Sequence, residues 1–181
     1  MFICSCIKKN DAGVLCNGNG STAYKPMALG DSWHFEADSV ANASYDTVVG
    51  QSGSMYYIRN FLPSNITYTD TFCVMSNGDV YIMNAFFGSK HLLVPANPAV
   101  GEKWTYTDTS GFIYTDSVLT TTASVLTFNC LYSNCLAIRD SANDNLVNVV
   151  YYAKGVGVVE SDILNNGSII SSAQLSSVSL H

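Results

Sequence analysis

The chain has 181 residues, 48% of them hydrophobic and only 12% charged, with a formal net charge of -6. It is long and apolar enough for one domain with a real core, which excludes extended disorder. Its eight Lys and Arg residues are scattered, so no basic stripe marks a nucleic-acid partner or a site for an anionic membrane surface.

Residues 1–23 read as a tether, followed by a single β-domain over residues 24–181. Met1-Phe2-Ile3-Cys4-Ser5-Cys6 is short, apolar and ends in cysteine. Ile3-Cys4-Ser5-Cys6 resembles the tail of a bacterial lipobox, with Cys6 as the candidate for lipid attachment and the signal peptide lying upstream of Met1. The residues that follow, to Thr22, are polar and glycine-rich, as in a flexible linker. No run of 18 apolar residues occurs, so membrane association is expected only through the lipid.

From Trp33 the pattern has a period of two. Trp33-His34-Phe35-Glu36-Ala37-Asp38 and Trp104-Thr105-Tyr106-Thr107 alternate bulky and polar residues, as strands with one wet face do. Turn signals recur between such runs. Gly50 to Gly53 breaks one pair, and Asn77-Gly78 separates residues 71–76 from 80–87. Asn143-Asp144-Asn145 separates residues 136–140 from 146–153, and Asn166-Gly167 separates residues 157–164 from 168–180. Asn-Gly between alternating runs is a strong hairpin signal. No long segment carries a helical apolar stripe. The expectation is an all-β chain of about 10–13 antiparallel strands with little or no helix. A sheet that wide must twist, curl or close on itself.

The two tryptophans share a context. Pro26…Gly30-Asp31-Ser32-Trp33 and Pro98…Gly101-Glu102-Lys103-Trp104 each run proline, glycine, then tryptophan three residues on. Proline cannot donate to a ladder, and glycine permits a tight turn. Each indole is read as a structural anchor that opens one half of the sheet, rather than as the lining of a cleft. Gly155 and Gly157 flank Val156 before another strand. With no helix after them they are not a phosphate loop; they mark a bulge or a close approach of backbones.

Six cysteines are present. Cys130 and Cys135 are a candidate disulfide if the four residues between them turn. If the strand runs straight through, the two face opposite ways and cannot bond. No zinc-type spacing occurs, and the histidines are only His34, His91 and His181, so no metal or cofactor is expected. Gly50-Gln51-Ser52-Gly53 lacks the second glycine spacing and the following helix of a serine-hydrolase elbow. His91 in Lys90-His91-Leu92-Leu93 reads as a strand residue with a structural or surface role. Residues 140–145 are rich in oxygen ligands but lack the EF-hand order, and read as an Asx-rich turn. No catalytic residue is assigned.

Tyr151-Tyr152-Ala153-Lys154-Gly155-Val156-Gly157-Val158-Val159-Glu160 resembles the YYA-x-GVG signature of the DUF3108-like group of bacterial exported proteins and lipoproteins. Three further pieces agree in order: Tyr24-Lys25-Pro26 through Gly30 to Trp33, Leu92-Leu93-Val94-Pro95 through Gly101 to Trp104, and Tyr132-Ser133-Asn134-Cys135-Leu136-Ala137-Ile138. The match covers about residues 24 to 160, with Glu160 standing where the group tends to have lysine. The resemblance implies a strongly curved antiparallel half-barrel similar to the lipoprotein carriers LolA and LolB, though no segment here reads as their lid helices. Together with the lipobox-like run and the lack of a catalytic constellation, it points to a non-enzymatic lipoprotein of the cell envelope, on the periplasmic or extracellular face, expected as a monomer. Its concave face would take an apolar small molecule, a lipid or an envelope protein. A structural surface protein without a pocket is the alternative. A hydrolase is a third reading, and it requires His91 beside a carboxylate in a cleft.

Overall fold

The computed structural model describes residues 16, 18, 20–37, 43–128, 130–142 and 145–181. Cys4, Cys6 and the lipobox-like run lie outside these residues, as do Asn143 and Asp144. Twelve strands follow one another: β1 (Ser32–Ala37), β2 (Ser44–Ser52), β3 (Met55–Leu62), β4 (Ile66–Val74), β5 (Val80–Met83), β6 (His91–Val94), β7 (Lys103–Thr107), β8 (Ile113–Leu126), β9 (Leu131–Ser141), β10 (Leu146–Ala153), β11 (Gly157–Asn165) and β12 (Ser168–Ser179). The only helical turn among the described residues is the short 3-10 turn Pro63–Asn65. No helix there is long and apolar enough to cross a membrane.

All twelve strands form one sheet in the order β6-β5-β4-β3-β2-β1-β12-β11-β10-β9-β8-β7. Each half, β1–β6 and β7–β12, is a meander of six strands. The halves join where β1 pairs antiparallel with β12. The sheet curls beyond a half-barrel until its edges, β6 and β7, approach across a seam with no strand pairing. Side chains bridge that seam, beginning with the Trp104 indole N–H, which donates to the Leu92 carbonyl at 2.8 Å.

The repeated turn is the same device in both halves. Asp31 N donates to Ala28 O, and Ala28 N donates to the Asp31 carboxylate. Glu102 and Ala99 exchange the corresponding pair of bonds. Gly30 N donates to Val48 O and Gly101 N to Val118 O, while Val48 N and Val118 N return bonds to Asp31 O and Glu102 O. Gly30 and Gly101 sit at φ 93° and 84°, a region that other residues rarely adopt. The two halves are therefore related structurally as well as in sequence.

Asn166 and Gly167 both have positive φ, which suits a two-residue hairpin between β11 and β12. Asn77-Gly78 likewise turns β4 into β5, but β5 stops at Met83, so Phe86 and Phe87 lie in the loop beyond it. The Gly155/Gly157 segment shows both expected features. The β10–β11 register slips between Tyr151 and Tyr152, and a side chain on Gly157 would meet the Trp33 indole nitrogen at 3.0 Å. The core fills the barrel and includes Trp33, Phe35, Ile58, Phe72, Leu136, Tyr152 and Val159.

The cysteine pairing differs from expectation. Cys130 bonds Cys16 across 114 residues, and Cys135 is free and buried. β9 continues from Leu131 to Ser141 with only a bulge at Asn134, at φ 56°, so no hairpin turn brings Cys135 back to Cys130. From Cys16 onward, the segment read as a tether is fastened to the sheet. Cys16 N donates to Leu131 O, and Gly155 N donates to Ala23 O at 2.8 Å.

Candidate functional site

Antiparallel alternation sends the start of β1 and the ends of β2, β4 and β6 to one end of the barrel. The N-terminal segment plugs that end. Tyr24 and Lys25 are buried there, the Cys16–Cys130 bond lies there, and His181 N donates to Asp31 at 2.8 Å. Two clefts, of about 320 Å³ and 220 Å³, flank the plug on its outer side. The opposite end carries the loops after β1, β3, β5, β7, β9 and β11. Ile66, Phe86, Phe112, Leu146 and Ile169 are exposed around it.

Two cavities open at this second end. One of about 400 Å³ is lined by Tyr68, Thr69, Asp70, Asn84, Ala85 and Phe86. The other, of about 230 Å³, is lined by Tyr114, Asp140, Leu146, Asn148 and Ile163 among others. Phe86 and Tyr114 stand between them with ring centroids 5.9 Å apart. Each cavity is lined by an aspartate, Asp70 in the first and Asp140 in the second, whose Oδ1 is buried and has no hydrogen-bond partner among the described residues. The other oxygens are held: Asp70 accepts from Asn60 Nδ2 at 3.0 Å and Asp140 from the Tyr106 hydroxyl at 3.1 Å. Burial raises both carboxyls above the ordinary range. Asp140 reaches about 6, aided by the charge of Asp116, with Tyr106 and His91 opposing. For Asp70, the Asn84 and Asn60 amides and the Lys25 charge oppose the rise.

Below the larger cavity lies a buried cation. The Lys25 ammonium sits 5.3 Å from the Trp33 ring centroid and 5.0 Å from that of Phe72. Burial lowers its pKa, while Asp46 and Asp70 oppose that shift. Asp46 itself is raised to about 6 by burial, against the attraction of Lys25.

The seam between β6 and β7 carries a second buried polar pair. His91 Nε2 lies 3.1 Å from Asp116 Oδ2, and both side chains are buried. Burial raises Asp116, and its hydrogen bond with His91 opposes the rise. The imidazole is sandwiched between Tyr106, at a centroid distance of 3.8 Å, and Phe87, at 5.0 Å. Among the described residues no hydroxyl or thiol bonds to His91.

Of the residues singled out in the sequence, Trp33, Gly157 and Tyr152 meet in the core, and the Trp33 indole donates to the Val156 carbonyl of the other half. Trp104 and Gly101 stand at the seam. None of the anchors lines the open-end cavities. Of the two acids that do, Asp70 was not singled out in the sequence, and Asp140 was read as the start of an Asx-rich turn, whereas it is the penultimate residue of β9. Their signal was an acidic residue at an inward position of a strand, visible only once register is known.

No protein-family model matches the chain, and no curated protein matches it. Two solved structures do. One is a candidate exported protein with a YmcC-like fold from Bacteroides fragilis NCTC 9343, at TM-score 0.57 and 13% identity, covering 88% of this chain and 100% of that one. The other is a candidate lipoprotein from Parabacteroides distasonis ATCC 8503, at TM-score 0.53 and 12% identity, covering 88% of this chain and 99% of that one. At such identities the likeness is one of fold.

Proposed function

We propose that this chain is a non-enzymatic lipoprotein of the bacterial cell envelope, belonging to the DUF3108-like group. It is anchored through Cys6 and binds an apolar or amphipathic small molecule at the open end of its barrel. The observation that carries the binding reading is the pair of open-end cavities, each with an apolar rim and lined by an aspartate that has one buried oxygen without a hydrogen-bond partner among the described residues. Ligand sites typically combine an apolar lining with a few placed polar groups. A buried polar atom left unpaired is costly, and a bound polar group would relieve that cost. An acyl chain carrying a hydrogen-bonding head matches both features.

The envelope reading draws on the two fold neighbours, one named as exported and one as a lipoprotein. It draws also on the Cys16–Cys130 disulfide, since such bonds persist in oxidising compartments. A hydrolase reading would rest on the His91–Asp116 pair, whose side chains are both buried; the open-end cavities support the binding reading instead.

The test is a titration of the full chain with a fluorescent fatty-acid probe, alongside mass spectrometry of organic extracts from the purified protein. Phe86→Asp and Leu146→Asp are expected to weaken probe binding at least tenfold, and Val178→Asp, at the plugged end, to leave it unchanged. Equal probe binding in all four proteins, or none in any, would remove the ligand reading in favour of a structural surface protein.

A further inference from the structure

Sulfur-bearing side chains of the first half gather on one patch of the barrel's outer face. In β4, Phe72 and Val74 pack with the core, so Cys73 between them faces outward. Met55 of β3 is its direct partner across the strand pair, and directly opposed residues share a face. Met75, just beyond β4, returns to that side, with its Sδ 3.9 Å from Cys73 Sγ. Met83 of β5 pairs with Thr71, two positions from Cys73, and flanks the group on the same face.

Three of the chain's five methionines therefore share one face with a free, partly exposed thiol, and Met75 touches it. None of these four residues belongs to the described apolar core, so core packing does not explain their grouping. A metal–sulfur bond of about 2.3 Å puts two sulfurs of a trigonal site about 4 Å apart, and the Cys73–Met75 pair already has that spacing.

We infer that Cys73, Met75 and Met55 form a binding site for a soft monovalent cation of the Cu(I) class, with Met83 as the adjacent thioether. Thiolate and thioether ligands select Cu(I) over harder divalent ions. On loading, the thiol gives its proton to solvent and a copper–sulfur bond forms; the copper arrives and remains as Cu(I). Ser54 Oγ, 3.6 Å from Cys73 Sγ, can donate to the thiolate. The Lys90 ammonium, 3.1 Å from Met75 Sδ and 4.1 Å from the Tyr81 ring centroid, is the group the cation displaces.

The test uses the full chain with Cys4→Ser and Cys6→Ser, so that N-terminal thiols do not compete. It is titrated anaerobically with Cu(I) against a chromogenic Cu(I) chelator, with the Cys16–Cys130 bond kept oxidised. One equivalent is expected to bind, with an all-sulfur shell by X-ray absorption. Cys73→Ser should weaken it at least a hundredfold and Met75→Leu at least tenfold, while Met27→Leu leaves it unchanged. Both key substitutions lie outside the core, and far-UV circular dichroism controls for folding. No copper retained against the chelator, or an affinity unmoved by Cys73→Ser or by Met75→Leu, overturns the site.

Discussion

The two halves of the barrel meet twice, by different means. At one junction β1 and β12 pair through their backbones from Ser32–Ser179 to Ala37–Ala173. At the other, β6 and β7 share no ladder, and the Trp104–Leu92 bond, the His91–Asp116 pair and the contacts of Tyr106 with the His91 and Phe87 rings hold the edges. Each junction uses its half's tryptophan to reach a carbonyl of the other half, Trp33 to Val156 and Trp104 to Leu92. Trp33 is 2% exposed, whereas Trp104 is half-buried. A related sequence device thus seals one junction into the core and leaves the other as a side-chain seam. Strand pairing satisfies every backbone group in a row, while a seam relies on a few specific contacts whose loss is local.

That contrast can be broken or sharpened by measurement. The largest effect is expected from Trp33→Ala, which should cost about 3–5 kcal/mol of unfolding free energy. Trp104→Ala should cost clearly less, because a half-buried ring leaves a smaller cavity. Urea denaturation of both variants decides the matter, and equal losses would mean that the junctions are energetically alike. Next, Cys130→Ser should cost about 2–4 kcal/mol, since it frees a loop spanning most of the chain. The thermal midpoint should fall in the variant and also in the wild type under reductant, and a midpoint unmoved in both would deny the bond a stabilising role.

His91→Ala should cost about 2 kcal/mol by leaving Asp116 without its partner. Its signature is spatial. Amide hydrogen exchange should speed up in β6 and β7 while β1 and β12 keep their protection. Uniform acceleration would show that the seam is no weaker locally than the paired junction.

The smallest effect concerns pH. Asp140 is raised to about 6 by burial, so between about pH 4 and that value the folded protein binds more protons than the unfolded chain. Its contribution to stability is complete below about pH 4 and is lost as the pH rises through 6. Asp140→Asn should remove that loss, making the variant more stable by roughly 1 kcal/mol at pH 7.5. Its stability should also be flatter over the range, which thermal melts at several pH values would show. A variant less stable than wild type at pH 7.5 would mean that the charged carboxylate is itself stabilising.

The strands were legible because their signals are local. Period-two alternation around Trp33 and Trp104, and the Asn-Gly turns, each depend on neighbours within a few residues. The likeness of Gly30–Trp33 to Gly101–Trp104 located the starts of both meanders for the same reason. The lining of the open end was not legible. Asp70 looks like an ordinary strand acid, and Asp140 like the start of an Asx-rich turn, until the register of β4 and β9 turns them inward. The disulfide was not legible, because the sequence left a Cys130–Cys135 bond open only if the residues between them turn, whereas the partner of Cys130 is Cys16, 114 residues away.

The sequence by itself determined an all-β chain, the main turns, and two matched strand openings, each written within a short window. Only the tertiary structure decided how far the sheet would curl and which distant residues its closure would bring together. Small twists and bulges sum over twelve strands, and no window of residues records that sum. The meeting of His91 with Asp116, the plug of Lys25, the one unpaired junction and the cavities at the open end all follow from it.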